Sequence, residues 1–413
     1  MKLKKKFLKK LADKSYRWLI VFTSISLSLK LYVICTQGNN LNLGSDDLNY
    51  IKSAVVLVRK GILTFHEYNE PTVFITPGYP FFLAIMFKIW GYDFIGFQAV
   101  RIIQAILSSI TIILTFSTAK DLFNKKVALI ASFMVSFYFP NIITPGYFLT
   151  ENLFSVLLML LLQLSLKYSK EPKQSQFLIL GFIWATAVLC RPTIALYPLL
   201  LLFHMLINKK LNLKSAVKLG AVMLLAFTIV MAPWWIRNYA EYGIFVPLAE
   251  SSGNPLLQGT YIGYNQTPDK TVLYRLGKNA LETNIIEVEV AKRRIIEGFK
   301  NDFPGYLKWY TIDKTYLLWS TIFYWKEYFG IKYHHILPFH FLILTGFLVI
   351  PVLLVKEFRR YSLPVSVLSY FNVIHCLYMA FDRYAFPLLP ILSIFAAYFI
   401  FILLSKFKLI FRV

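Results

Sequence analysis

The sequence predicts an all-α polytopic membrane protein, with about ten transmembrane helices, at most about twelve, and further helices lying on the membrane surface. Three observations carry that prediction. Hydrophobic residues make up 57% of the 413-residue chain and charged residues 16%, with a mean hydropathy of +0.57; a soluble chain carries about 25% charge. Lys and Arg gather in short clusters between apolar runs, the distribution that the positive-inside rule leaves. Many of those runs approach the length that spans a bilayer. The formal charge of +23 would suit nucleic acid in a soluble domain, but its division among loop clusters assigns it to membrane topology and excludes that partner.

The chain opens on lysines from Lys2 to Lys14 ahead of an apolar stretch, Trp18 to Cys35. Thr36-Gln37-Gly38-Asn39-Asn40 lacks the small residues of a signal-peptide cleavage site, so the stretch reads as a retained anchor with a cytoplasmic N-terminus. Later basic clusters, 120–126, 167–173, 209–218, 356–360 and the tail with Lys406, Lys408 and Arg412, mark further cytoplasmic loops. Between them lie out-and-back pairs at 127–140 with 149–166, 177–190 with 192–207, and 362–380 with 386–405. Residues 79–90 are too few to span comfortably and read as interfacial or re-entrant; 316–330, rich in Trp and Tyr, reads as a surface helix. Both termini then fall in the cytoplasm of a plasma or inner membrane. Residues 1–405 form one transmembrane domain, 406–413 a short cytoplasmic tail, and no separate soluble C-terminal domain is expected.

Two extracytoplasmic loops are large, 37–100 and 237–335. In the first, Tyr50, Ile51, Ala54, Val55 and Val58 recur at helical spacing, which predicts an amphipathic surface helix over 48–60 that stops at Gly61. In the second, 284–300 predicts another.

Charge at the outer ends of the apolar runs supplies the candidate chemistry. Asp46 and Asp47 precede the first surface helix, where a carboxylate either caps the helix or acts on a substrate; both readings stay open. Thr76-Pro77-Gly78-Tyr79-Pro80 breaks the backbone at the membrane surface, which is tolerated where it lines a cavity. Glu151 sits at the mouth of a crossing, a costly place for a charge. Arg191, Arg237 and Arg383 lie at outer ends against the positive-inside trend, at a level suited to holding a lipid phosphate. Each also admits a plainer role, snorkelling or an ion pair such as Arg383 with Asp382. His334, His335 and His340 cluster but lack a metal-ligand spacing, and Cys35, Cys190 and Cys376 read as packing residues. The chain has no Gly-rich phosphate loop, Ser-centred elbow or His-Glu-x-x-His motif.

The order of these features resembles the lipid-dependent, multi-spanning glycosyltransferases of the GT-C class, and within it the branch of protein O-mannosyltransferases and lipid A aminoarabinose transferases. The resemblance rests on the acidic pair with Tyr50, Pro77-Gly78-Tyr79-Pro80, Thr150-Glu151, Arg191-Pro192, Pro233-Trp234 with Arg237-Asn238-Tyr239, and Arg383-Tyr384 before Pro387.

That resemblance implies an inverting transferase. Its donor is a sugar on a polyprenyl phosphate, its acceptor a cell-envelope glycan, lipid or protein, and membrane lipids surround it. Asp46 is then the base, Asp47 and Glu151 further acids of the site, and Tyr50, Tyr79, Arg191, Arg237, Asn238, Arg383 and Tyr384 substrate-binding positions. A lysine frequent in the class before the Pro-Gly step is Thr76 here, which passes the phosphate contact to Arg237 and Arg191. No cofactor or metal site is implied; a divalent ion is compatible with the chemistry without being required. Two other readings are a flippase or transporter of lipid-linked sugars, and a glycan polymerase or ligase with a diphosphate-linked donor. The first predicts charges at mid-membrane depth, the second release of a polyprenyl diphosphate.

Overall fold

A computed structural model describes residues 13–208, 212–266 and 271–410, with side chains described as far as Lys406. The lysines before Asp13, Lys209 and Lys210, Pro268, and the tail with Lys408 and Arg412 lie outside that description. Among the described residues there is no strand, only two isolated bridges, Phe65 with Glu67 and Tyr328 with Ile331.

In chain order the helices are α1 (Lys14–Gln37), α2 (Asp46–Lys60), α3 (Gly78–Trp90), α4 (Phe94–Leu122), α5 (Lys125–Phe137) and α6 (Phe139–Ile143). They continue as α7 (Glu151–Tyr168), α8 (Gln174–Cys190), α9 (Tyr197–Ile207), α10 (Leu213–Tyr242), α11 (Gly253–Gln258) and α12 (Ala280–Asn301). The last are α13 (Phe303–Lys308), α14 (Lys314–Ser320), α15 (Tyr333–Leu344), α16 (Gly346–Leu377), α17 (Asp382–Ala385) and α18 (Leu389–Ile410).

The polarity of the bundle is that of a protein dissolved in lipid. On α4, Ile102, Ile106, Ile110 and Ile113 form one exposed stripe, while Arg101, Gln104, Ser109, Thr115 and Thr118 are buried against neighbouring helices. The inward hydroxyls are satisfied locally, Ser109 Oγ donating to the Ala105 carbonyl at 2.8 Å and Thr115 Oγ1 to that of Thr111 at 2.8 Å. Exposed Ile25, Leu29 and Tyr32 on α1, and Val217, Leu224 and Ile229 on α10, continue the apolar exterior. Water would penalise such a surface and hydrocarbon does not, so the chain is an integral membrane protein.

Six helical stretches among the described residues are long and apolar enough to cross, or seven if α5 and the helix after it, bent by 63°, make one span. The expected count of about ten is not confirmed by this measure, for two physical reasons. α3, α8 and α9 are apolar but short, and residues 333–377 run on as one stretch although Glu357, at φ −142° and ψ 55°, interrupts the helix there. The crossing expected over 127–140 is itself broken, because Tyr138 is extended and Pro140 opens a new short helix.

Helices appear over the segments expected to be surface helices, with one exception. α2 ends at Gly61, whose φ of 70° supplies the left-handed cap, and α3 and α12 cover the expected segments. The helix expected over 316–330 stops at Ser320. Tyr324 and Tyr328 turn inward instead, Tyr324 Oη donating to the Ile331 carbonyl at 2.6 Å and Tyr328 Oη to that of Asn40 at 3.2 Å. These contacts lay the segment over the loop that leads into α2.

α8 and α10 pack closely because Gly181 faces α10 with no side chain: a Cβ there would lie 2.3 Å from the Met223 carbonyl oxygen and 2.7 Å from Ala226 Cβ. Since α8 carries Arg191 at its end, this contact also sets the depth of that residue. Gly181→Val is expected to lower stability by about 1–3 kcal/mol through overpacking, read as a fall in the midpoint of thermal unfolding in detergent; an unchanged midpoint would show that the two helices separate freely.

Candidate active site

Four local chain breaks bring charged side chains to one end of the bundle. α2 begins at Asp46 after Gly44 and Ser45; its N-cap, Ser45, makes no side-chain cap. α7 begins at Glu151 after the Thr144–Gly146 turn. α8 ends at Cys190 because Pro192 follows, and the residue before a proline is driven out of the helical region: Arg191 is extended at φ −145°, ψ 112°. α17 begins after the extended Phe381, and Asp382 Oδ1 accepts the Arg383 backbone N–H at 2.6 Å.

At the meeting point, Arg383 joins two carboxylates. Its Nη1 donates to Asp46 Oδ2 at 2.7 Å and its Nε to Glu151 Oε1. Arg191 Nη2 donates to the same Glu151 oxygen at 2.5 Å, and its Nε to Thr150 Oγ1 at 2.7 Å. Glu151 is fully buried, Arg383 nearly so, and its Oε2 has no partner among the described residues. Asp46 alone reaches out of the group, with 42% of its side-chain surface exposed. Two guanidiniums and two carboxylates leave the cluster near neutral, which offsets the cost of burying them. Among the described residues no group of three or more metal-ligating side chains occurs.

Asp47 has a different role from its neighbour. It is fully buried, its Oδ2 accepting the Leu43 N–H at 2.7 Å and its Oδ1 the Ser45 N–H at 2.9 Å. Both oxygens are used to fold the loop that presents Asp46. Asp47, expected as a further acid of the site, thus has both carboxylate oxygens on backbone amides.

The expected binding positions divide in the same way. Tyr50 stands edge-on to Tyr79, ring centroids 5.0 Å apart, and burial, with the Asp46 charge next, pushes its phenol above the ordinary range, so it stays neutral. Tyr384 stacks on His375 at 4.7 Å, with the Arg191 guanidinium 5.7 Å from its ring centre. Tyr79, expected to bind substrate, is fully buried, its hydroxyl donating to Gln104 Oε1 at 2.9 Å; it packs the site from behind. Arg237 does not join the charge cluster: its Nη1 donates to the Thr72 carbonyl at 2.8 Å and to Asn238 Oδ1 at 3.0 Å. Asn238 is buried, with its Nδ2 3.5 Å from the Val246 carbonyl, so it braces a loop. Arg383 does not pair with Asp382, whose carboxylate takes the Trp325 indole N–H at 3.2 Å. Both ring nitrogens of His340 are engaged, by Tyr138 Oη at 2.8 Å and the Trp319 carbonyl at 2.7 Å, which leaves neither for a metal.

Sequence reasoning missed the support behind the cluster. Arg101 Nε donates to the Gly146 carbonyl at 3.0 Å and Nη2 to that of Leu41 at 3.2 Å. Gln104 Nε2, one turn on, donates to the carbonyls of Pro145 and Tyr147, both at 2.9 Å. The polar face of α4 therefore fixes both loops that lead to Asp46 and Glu151. The available signal was an arginine and a glutamine three residues apart inside an apolar run. Lys30, buried in α1 with its Nζ 3.4 Å from Ser109 Oγ, carried the same signal.

Residues 71–236 match the family model described as dolichyl-phosphate-mannose-protein mannosyltransferase. Solved structures of similar fold include ArnT from Cupriavidus metallidurans bound to undecaprenyl phosphate, with a TM-score of 0.53 and 12% identity over 92% of this chain and 59% of that one. Another is the archaeal oligosaccharyltransferase AglB from Archaeoglobus fulgidus in complex with an inhibitory peptide and a dolichol-phosphate, at 0.54 and 12% over 96% of this chain and 51% of that one. The Archaeoglobus fulgidus oligosaccharyltransferase in complex with Zn and sulfate gives 0.57 and 13% over 95% and 50%. This chain thus spans between half and three fifths of the length of those structures. No curated protein matches it in sequence.

The geometry separates the two acids by their effect on stability. Glu151→Gln strands two buried guanidiniums and is expected to cost about 3–5 kcal/mol, whereas Asp46→Asn breaks a half-exposed pair and is expected to cost no more than about 1 kcal/mol. Thermal unfolding of the two variants in detergent checks this; equal losses would mean that Asp46 is as structural as Glu151.

Proposed function

We propose that this chain is a membrane glycosyltransferase of the GT-C class, transferring a sugar from a polyprenyl-phosphate donor to a hydroxyl of a cell-envelope glycan, lipid or protein, with Asp46 as general base. One observation carries the reading. Asp46 is a half-exposed carboxylate held by a buried guanidinium, while the acid beside it is consumed by backbone amides. That is the arrangement of a base pre-positioned on a rigid frame, not of a helix cap. The matched family model and the lipid phosphates bound by ArnT and AglB support the donor class.

The acceptor hydroxyl forms its new bond to the anomeric carbon as its proton passes to Asp46. The bond from that carbon to the phosphate oxygen breaks, and polyprenyl phosphate leaves with the electron pair. Attack opposite the leaving group inverts the anomeric centre. The leaving phosphate gathers charge and needs cations placed in advance. Arg191 and Arg383 are largely neutralised by Glu151 and Asp46, whereas Arg237 forms no ion pair among the described residues. Arg237 therefore supplies the uncompensated charge, with Arg191 as the second contact. Tyr50 and Tyr384 line the approach to Asp46.

The site faces the extracytoplasmic side in this proposal, with loops 37–100 and 237–335 over it and both termini in the cytoplasm, as the basic clusters require. The donor's lipid tail lies along the bundle, and the step as written does not require a metal.

Purified protein given a polyprenyl-phosphate sugar and its acceptor is expected to release polyprenyl monophosphate, and Asp46→Asn to slow turnover by about 10²–10⁴ without loss of fold. Undiminished turnover in the variant would remove Asp46 as base, and a diphosphate product would assign the chain to the polymerase or ligase reading.

A further inference from the structure

A cavity lies at the other end of the bundle. Glu151 opens α7 and Ser169 follows its last residue, so the two are separated by an 18-residue helix. At about 1.5 Å per residue that is about 27 Å, close to the thickness of a bilayer's hydrocarbon core. The cavity at the Ser169 end encloses about 750 Å³ between the ends of α4, α7 and α9 and the break in α16.

The break shapes it. Non-helical Glu357 interrupts α16, and the turn is pinned from α9, Asn208 Nδ2 donating to the Arg359 carbonyl at 3.0 Å. Ser362 Oγ donates to the same carbonyl at 3.0 Å and meets His204 Nδ1 at 2.6 Å. Of the cations lining the cavity, Arg360 pairs with Glu357 at 3.1 Å. Asp121, the other acid, is held by Gln163 Nε2 at 2.9 Å and lies 3.7 Å from Lys120. Lys170, Lys356 and Arg359 line the cavity, are exposed, and form no ion pair among the described residues. Beside them the wall is apolar: buried Leu122 and Leu166, and Val355 and Phe358 exposed at the mouth.

We propose that this cavity binds the headgroup of an anionic phospholipid, with Lys170, Lys356 and Arg359 around its phosphate and Phe358 and Val355 against its glycerol and first methylenes. Three unpaired cations beside exposed apolar side chains, at the level where spans end, match a lipid that is charged at one end and apolar at the other. A soluble phosphate would use the cations and gain nothing from the apolar rim. No residue of the Asp46 cluster lines the cavity, so the assignment is independent of the transfer reaction.

Native mass spectrometry of the full chain in detergent, titrated with phosphatidylglycerol or phosphatidylcholine, tests it. Phosphatidylglycerol is expected to be retained at least about tenfold more tightly than phosphatidylcholine. Lys170→Gln, Lys356→Gln and Arg359→Gln are expected to weaken that retention by about fivefold each. A control triple variant on α12, Lys292→Gln, Arg293→Gln and Lys300→Gln, is expected to leave it unchanged. Equal retention of the two lipids, insensitivity to the cavity variants, an equal loss in the control, or displacement by millimolar inorganic phosphate would each overturn the assignment.

Discussion

The contact on which the rest of the site depends is the one between Arg383 and the two acids that reach it from α2 and α7. Asp46, Glu151, Arg191 and Arg383 come from four separate chain breaks and are joined by this guanidinium-carboxylate chain. A buried Glu151 is tolerable because two arginines meet it, and the arginines are tolerable because Glu151 is there. The result is a near-neutral, rigid plug from which a single carboxylate, that of Asp46, emerges. The proposed base, Asp46, has the held position and open surface that such a group needs.

The plug is held from behind by an inversion of ordinary protein polarity. In a membrane bundle, helices gain little from burying leucine against leucine, so polar side chains turned inward become the specific contacts. α4 shows this, with isoleucines outward and Arg101 and Gln104 inward on the carbonyls of Leu41, Pro145, Gly146 and Tyr147. Those four carbonyls belong to the turns that deliver Asp46 and Glu151. The same residues that make α4 an imperfect hydrophobic segment in sequence are the ones that make the site reproducible.

Much of the architecture was legible in the sequence. The α2 boundary at Gly61, the short α3 and the helix α12 follow from periodicity, length and caps, which are local properties, whereas the GT-C fold was read from a resemblance in the order of motifs along the chain. The span count is not confirmed where local properties compete: Pro140 and Tyr138 split one expected crossing, and Glu357 breaks a stretch whose hydropathy alone runs through. The aromatic run at 321–330 could not be read locally at all, because Tyr328 is satisfied by Asn40, far away in the chain. Of the candidate site, the residue types and their shared level were readable. Which acid is free and which is tied, and that Arg237 stands apart on Thr72, were not, since both depend on backbone carbonyls and amides that carry no sequence signature.

In the proposed reading the two ends of the bundle have different tasks, chemistry at the Asp46 end and lipid recognition at the Arg359 end. The chemistry requires a sugar donor seated with its anomeric carbon before Asp46. A structure with a non-transferable polyprenyl-phosphate sugar analogue bound tests this most directly. The phosphate is expected at Arg237 and Arg191, with the anomeric carbon facing Asp46 across a space open to an acceptor. Absence of the donor analogue from the Asp46 end, or its binding there with the carboxylate turned away from the sugar, would contradict this reading.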